Sequence, residues 1–197
     1  LEPEAGRLRL VVLMHMPRDE PREGAALSAA SAIVATSEWT RRWLRDHYAL
    51  SGTPVYVVPP GVDAAELASG TPSGGRLLCV AGVTPLKGHD LLLDALTTVD
   101  DLAWQCVCVG ALDLDPEFVA GLRRSAEDRG LGDRVRFTGP LIADGLDRAY
   151  ADADVLVQAS RTEAYGMVVT EALARGIPVI GAEVGGVPEA LGRAADG

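Results

Sequence analysis

Residues 76–110 read RLLCVAGVTPLKGHDLLLDALTTVDDLAWQCVCVG. Two short apolar runs, 77–81 and 104–109, have the near-continuous hydrophobicity of strands buried on both faces. Between them Leu91, Leu92, Ala95 and Leu96 recur at helical spacing and form one apolar stripe. Strand, helix, strand is the unit from which parallel sheets are built. The alternation continues downstream, with strands predicted at 135–138, 155–159 and 177–181. Phe118, Val119, Leu122 and Ala126 make a second helical stripe, with Asp115 placed as cap, Pro116 at the first helical position and Gly130 near the end. Leu146, Ala149, Tyr150 and Ala153 make a third, and a helix from about Met167 stops near Gly176, ahead of Pro178. The fold class is α/β, a parallel sheet with helices on both faces.

Upstream, strands are expected at 8–14, 33–35 and 55–58, and Ser37 is placed to cap a helix carrying Trp39, Trp43 and Leu44. Pro59-Pro60-Gly61 breaks the third strand, and residues 71–75 (TPSGG) form a turn-rich seam. Residues 1–60 read as an incomplete α/β unit and 61–197 as a nearly complete one. The sequence stops at Gly197, straight after a helix-like run from Val187, so a longer parent protein is expected.

The chain has 197 residues, is 48% hydrophobic and carries 18 basic against 28 acidic side chains, a formal net charge of −10. That apolar content argues against disorder, and the acidic balance opposes nonspecific binding to nucleic acid. No apolar run has the length of a membrane span and no leader-like segment opens the sequence, so a cytoplasmic protein is the default expectation. Cys106 and Cys108 share one strand face and Cys79 lies in another strand; without nearby histidines at ligand spacing they read as small buried hydrophobes, not as a metal site.

Lys87 is the one lysine among 18 basic residues. It lies in the loop between the strand at 77–81 and the next helix, where open parallel sheets bind ligands. An ammonium there suits a phosphate, helped by N–H groups at a helix start; a solvated surface lysine is the plainer alternative. Glu163 and Glu171 stand eight apart, the first in the loop after the strand at 155–159 and the second one turn into the following helix. Such a spacing spans about 12 Å along a helix, too far for one catalytic dyad. It suits an extended ligand crossing the helix N-terminus, or simply acidic residues complementing the helix dipole. Gly185-Gly186 opens another strand-end loop, either for backbone approach to a ligand or for a turn. His15 also follows a strand, where a lone histidine serves structure as readily as a ligand. No dinucleotide-binding glycine fingerprint or Walker loop is present.

Taken together, residues 11–17 (VVLMHMP), 33–38 (IVATSE), 57–63 (VVPPGVD), 80–88, 137–139 (FTG), 160–172 (SRTEAYGMVVTEA), 176–179 (GIPV) and 185–189 (GGVPE) resemble the retaining nucleotide-sugar glycosyltransferases of the GT-B fold, family four, also called group one. The resemblance runs nearly the whole chain. Its most specific part is the Glu-x7-Glu segment, followed by the Gly-Gly-Val-Pro-Glu loop.

The resemblance implies a GT-B fold: a parallel-sheet, Rossmann-like C-terminal domain over 61–197, plus part of a second Rossmann-like domain over 1–60. The first would bind the donor; the second is the C-terminal portion of the acceptor-side domain. It further implies that Glu163 holds hydroxyls of the donor sugar, Glu171 the nucleotide ribose and Lys87 the diphosphate. The backbone of Ala164, Tyr165, Gly166, Met167 and Val168 would donate hydrogen bonds to sugar and phosphate. His15 would lie near the sugar, and the loop from Gly139 to Leu141 would line the base. The family pattern has arginine where this chain has Gly82, which places more demand on Lys87 unless Arg161 or a metal substitutes. Tyr165 replaces the usual phenylalanine.

The implied reaction moves a sugar from a nucleoside-diphosphate sugar to an acceptor hydroxyl with retention. No cofactor and no resident metal is implied, and the acceptor (glycan, lipid or small molecule) is left open, as is peripheral membrane association of a longer protein. Residues 1–197 alone are expected to be inactive. The alternatives are a GT-B epimerase or phosphorylase, and a noncatalytic nucleotide-sugar-binding module.

Overall fold

The computed structural model describes residues 6–192; the terminus at Gly197 lies outside them. By packing, the chain divides into two units. The first gathers residues up to 61 together with 163–167 and 183 onward, and the second holds 62–162 and 168–182. The two short later segments fall within the stretch from 61 onward. Their glycines bring them against each other, as described below.

The first unit contains a parallel sheet ordered β1 (Val11–Met14), β2 (Ala32–Ala35), β3 (Val55–Val57), with helices α1 (Pro21–Ser28) and α2 (Glu38–His47). The run expected from residue 8 pairs only from Val11, because the register with β2 begins at Val11 opposite Ala32. Met14, Leu27, Ile33, Ala35, Leu44, Tyr48 and Val55 form its core. Tyr48 donates a 2.6 Å hydrogen bond to Glu23 and accepts one from the Glu20 N–H. Burial and the Glu23 carboxylate push its phenol up to about 12. On the other sheet face Val11, Leu13 and Tyr56 stay more than half exposed.

The second unit is a five-stranded parallel sheet in the order β6 (Val135–Gly139), β5 (Gln105–Val109), β4 (Arg76–Val80), β7 (Val155–Gln158), β8 (Val179–Gly181). Helices α3 (His89–Thr97) and α4 (Pro116–Asp128) cover one face, and α5 (Asp144–Ala151) and α6 (Met167–Ala174) the other. Alternation along β4 divides the two cores: Leu78 packs with Tyr150, Leu156, Ala172 and Ile177, while Cys79 packs with Leu92, Val119 and Leu122. All three cysteines are free and buried, as the sequence suggested. Asp115 caps α4, accepting from the Phe118 N–H at 3.0 Å. The α3 stripe is displaced by one position from expectation. The helix starts at His89, so His89, Leu92, Leu93 and Leu96 are the buried set and Leu91 faces outward.

Asp154 fastens the seam at 71–75 to the sheet, accepting from the Thr71 N–H and hydroxyl at 2.6 and 2.5 Å and from the Arg76 N–H at 2.7 Å. Burial alone would raise the Asp154 carboxyl, but the Thr71 and Arg76 donors outweigh it and hold it low.

The strand order reverses between β4 and β7, the topological switch point at which loops leaving adjacent strands diverge and a crevice opens. Gly88 adopts a left-handed φ of 67° just before α3, and a Cβ there would sit 2.0 Å from the Ala159 carbonyl oxygen just after β7. Backbone on both sides leaves no flexible atom to yield. Gly88→Ala is therefore expected to destabilise the fold by at least about 2 kcal/mol, read as a lowered midpoint in urea unfolding; an unchanged midpoint would show that the two loops are not in contact.

Candidate functional site

Two loops leave the switch point on the carboxyl side of the sheet. The first runs from the end of β4 through Gly82 to a single 3-10 turn, Pro85–Lys87, and enters α3. Thr84 is extended, the Lys87 N–H donates to the Thr84 carbonyl at 3.0 Å, and Lys87 is half-buried. His89 lies fully buried behind it, with Nε2 3.8 Å from Cys79 Sγ.

The second loop follows β7 and braces the first. The Arg161 N–H donates to the Leu86 carbonyl at 2.8 Å, and its guanidinium donates to the Pro85 carbonyl at 2.6 Å. The same guanidinium grips Asp90 with both nitrogens, at 2.8 and 2.7 Å. Arg161 was considered as a substitute for the missing diphosphate arginine. The structure engages its two terminal nitrogens with Asp90 and with the turn that carries Lys87. At the other position in question, a Cβ on Gly82 would come within 2.8 Å of Leu114 Cδ1. Leu114 is mostly exposed, so the end of its side chain is free to yield there.

The helix α6 presents its N-terminus after Gly166, which has φ 96°. Glu171 lies on its second turn, half-buried. Its Oε2 accepts a 2.6 Å hydrogen bond from the Tyr150 hydroxyl, a buried group on α5. Burial first, and then the Glu171 charge, hold the Tyr150 phenol well above its usual range. Arg175 stacks over the Tyr150 ring at 4.6 Å and donates to the Glu171 carbonyl at 3.1 Å. The sequence showed Tyr150 only as part of an apolar stripe; its position beside Glu171 depends on α5 packing against α6, which no local spacing reveals.

Gly139 ends β6 with φ 80°, and its carbonyl accepts from the Gly110 N–H at 3.1 Å. Leu141 goes elsewhere. It packs into the second core cluster and lines a cavity of about 140 Å³ with Arg76 and Leu77 from the beginning of β4. The chain turns back along the sheet face here to begin α5, which leaves Gly139 as the position of this loop at the carboxyl edge.

In the first unit His15 is exposed just past β1. Glu163, Tyr165 and Gly166 belong to this unit by packing, with Glu163 half-buried and Ala164 buried. The Gly186 N–H donates to the Glu163 carbonyl at 3.0 Å. A Cβ on Gly185 would lie 1.7 Å from the Glu163 oxygen, and one on Gly186 2.2 Å from the Ala164 oxygen. The two glycines are thus required by a loop-to-loop approach. Tyr165 keeps its phenol above the usual range through burial and the nearby Glu189 charge.

Comparison with known proteins can be made on this geometry. Residues 71–197 match the family model for glycosyl transferases group 1, and residues 7–66 match that for glycosyltransferase family 4. The chain belongs to the group 1 glycosyl transferases. A D-inositol 3-phosphate glycosyltransferase of Geodermatophilus obscurus is 35% identical, the match covering 88% of this chain and 44% of that protein. One from Jonesia denitrificans is 32% identical over 87% of this chain and 46% of its own length. The chain therefore spans under half the length of these relatives. Among solved structures, Anabaena HepE in complex with UDP-glucose superposes with a TM-score of 0.78 at 23% identity, covering 93% of this chain and 56% of HepE. A sucrose-phosphate synthase from Thermosynechococcus elongatus gives a TM-score of 0.76 at 26% identity, covering 92% and 53%. The fold of this group 1 glycosyl transferase chain is of the GT-B type. Among the described residues no helix is long and apolar enough to cross a membrane.

The brace between the loops makes a titration prediction. Arg161 donates to Asp90 and holds its carboxyl below the ordinary value. The pair therefore contributes at neutral pH and is lost as pH falls through that lowered value. Exposure of both partners keeps the contribution small. Arg161→Ala should return the Asp90 titration, followed by NMR, to about pH 4; an unmoved titration would rule out the pairing.

Proposed function

We propose that this chain supplies the donor side of a retaining glycosyltransferase, binding a nucleoside-diphosphate sugar along the carboxyl edge of the five-stranded sheet. The observation that carries this reading is the switch point itself. There the only lysine of the chain sits on the loop after β4, and the loop after β7 leads into a helix N-terminus with Glu171 on its second turn. Lys87 would hold the diphosphate, aided by the positive end of the α6 dipole. Glu171, oriented by Tyr150, would accept from the ribose hydroxyls, and Glu163 from hydroxyls of the sugar. Gly139 would let backbone lie close to the base. Family membership and the UDP-glucose complex of HepE support a nucleotide sugar as the ligand.

The chemistry that follows is front-face displacement. The bond between the anomeric carbon and the phosphate oxygen breaks. Charge on the departing diphosphate is stabilised by the Lys87 ammonium and the helix N-terminus. The acceptor oxygen bonds to the same face of the anomeric carbon, and its proton passes to the departing phosphate oxygen. The acceptor is a hydroxyl compound. The inositol phosphate of the relatives' names belongs to those proteins, and this reading does not depend on it.

One observation favours a second reading, a binding module without turnover. Position 82, where the family pattern has an arginine, is glycine, so leaving-group stabilisation rests on Lys87 with no arginine from that position. Turnover in a complete protein distinguishes the two readings.

Isothermal titration of the chain with UDP-glucose, GDP-mannose and ADP-glucose should reveal one bound donor. Lys87→Ala and Glu171→Ala should each weaken it about tenfold or more, the loss of a charge-assisted contact. Retention of full affinity by both variants would overturn the site.

A further inference from the structure

The loop that carries Glu163 is held by a buried polar cluster in the first unit whose members have no part in the chemistry above. Ser37, fully buried, donates from Oγ to the Ala164 carbonyl at 2.6 Å and accepts from the Thr40 N–H at 3.0 Å as the cap of α2. Thr40, equally buried, lies with its hydroxyl 3.4 Å from the same Ala164 oxygen. Glu189, on the short helix α7 (Val187–Ala190), completes the cap: its two carboxylate oxygens accept from the Glu38 and Trp39 N–H groups at 2.7 and 2.9 Å. One helix N-terminus thus takes its hydroxyl cap from its own chain entry and its carboxylate cap from a segment about 150 residues away. The same segment carries Gly185 and Gly186, whose bare backbones are what permit contact with the Glu163 and Ala164 carbonyls.

This arrangement fixes the loop at its backbone. The Glu163 carbonyl is bound by the Gly186 N–H and the Ala164 carbonyl by Ser37, so two consecutive peptide planes are clamped beside the Glu163 side chain. A carboxylate on a clamped backbone loses less freedom on gripping a ligand than one on a free loop. The sequence gives no local sign of this, since Ser37 reads as an ordinary cap and Glu189 only as the last residue of the 185–189 loop motif.

We propose that Ser37 and Glu189 are positioning residues for the sugar-recognising carboxylate, acting through the Ala164 and Glu163 carbonyls and touching no ligand themselves. The inference rests on the proposed donor site and assigns the sugar part of recognition to a cluster separate from the nucleotide part. Loss of the clamp should erode the affinity gained from the sugar while leaving affinity for the nucleoside diphosphate intact.

The test is isothermal titration of the 197-residue chain with UDP-glucose, GDP-mannose and ADP-glucose, and with UDP, GDP and ADP. The ratio of the two dissociation constants for the matched pair is the readout. Ser37→Ala and Glu189→Gln should each shrink the sugar's contribution to that ratio by about tenfold, the freedom the released loop must give up on binding. Ser37→Thr, which keeps a hydroxyl at the cap, should restore it. A general loss of folded protein would lower the binding stoichiometry and leave the ratio alone. If Glu189→Gln does not fold, the Ser37 pair decides the matter. A wild-type chain that prefers a sugar nucleotide, with variants that keep that preference, overturns the positioning role alone. A wild-type chain that binds the bare diphosphate as tightly as the sugar nucleotide overturns it too. Binding of none of the six overturns the donor site and this inference with it.

Discussion

The pairing of β4 with β7, at Leu77 opposite Val155 and Leu78 opposite Leu156, governs what this chain can hold. It places side by side two strands that lie far apart in sequence and whose exit loops diverge. Everything at the site follows from making those loops compatible. Gly88 allows one backbone to reach the other, Arg161 binds Pro85 and Asp90 across the gap, and Lys87 is left on a braced turn instead of a mobile loop. A cation on a rigid turn is preorganised for a dianion, and that is where electrostatic stabilisation is strongest. An acidic chain with a net charge of −10 repels anions over most of its surface, so local placement of the single lysine matters more than bulk charge.

Much of this architecture was legible from residue order. Apolar runs gave all eight strands and helical stripes gave the principal helices, because a parallel sheet covered on both faces needs continuous hydrophobicity and leaves little ambiguity. Caps at Ser37 and Asp115 were readable because they are local hydrogen bonds. The errors are equally physical. The α3 stripe was read from Leu91 because the helix start could not be fixed without seeing Gly88 turn left-handed, which buries His89 and moves the phase.

The candidate site was legible as a set of residues but not as a network. Lys87, Glu163 and Glu171 announce themselves by rarity or spacing. Tyr150 does not, and the roles of Arg161 and Glu189 stay hidden, since each works through a partner that only the fold supplies: Glu171, Asp90 and the start of α2. Residues that bind ligand are found by pattern, whereas those that hold the binders are found by contact. The arginine expected at position 82 illustrates the limit. Its absence is plain in the sequence, but that Arg161 is engaged with Asp90 and Pro85 requires coordinates.

The three-stranded sheet of the first unit leaves Val11, Leu13 and Tyr56 open to solvent on one face. Parallel sheets ordinarily bury both sides, so such a surface is adhesive toward any other apolar patch. In dilute neutral buffer the shared negative charge keeps copies apart. Acidification or added salt weakens that repulsion, so this open face of β1 and β3 contributes to the colloidal behaviour of the chain.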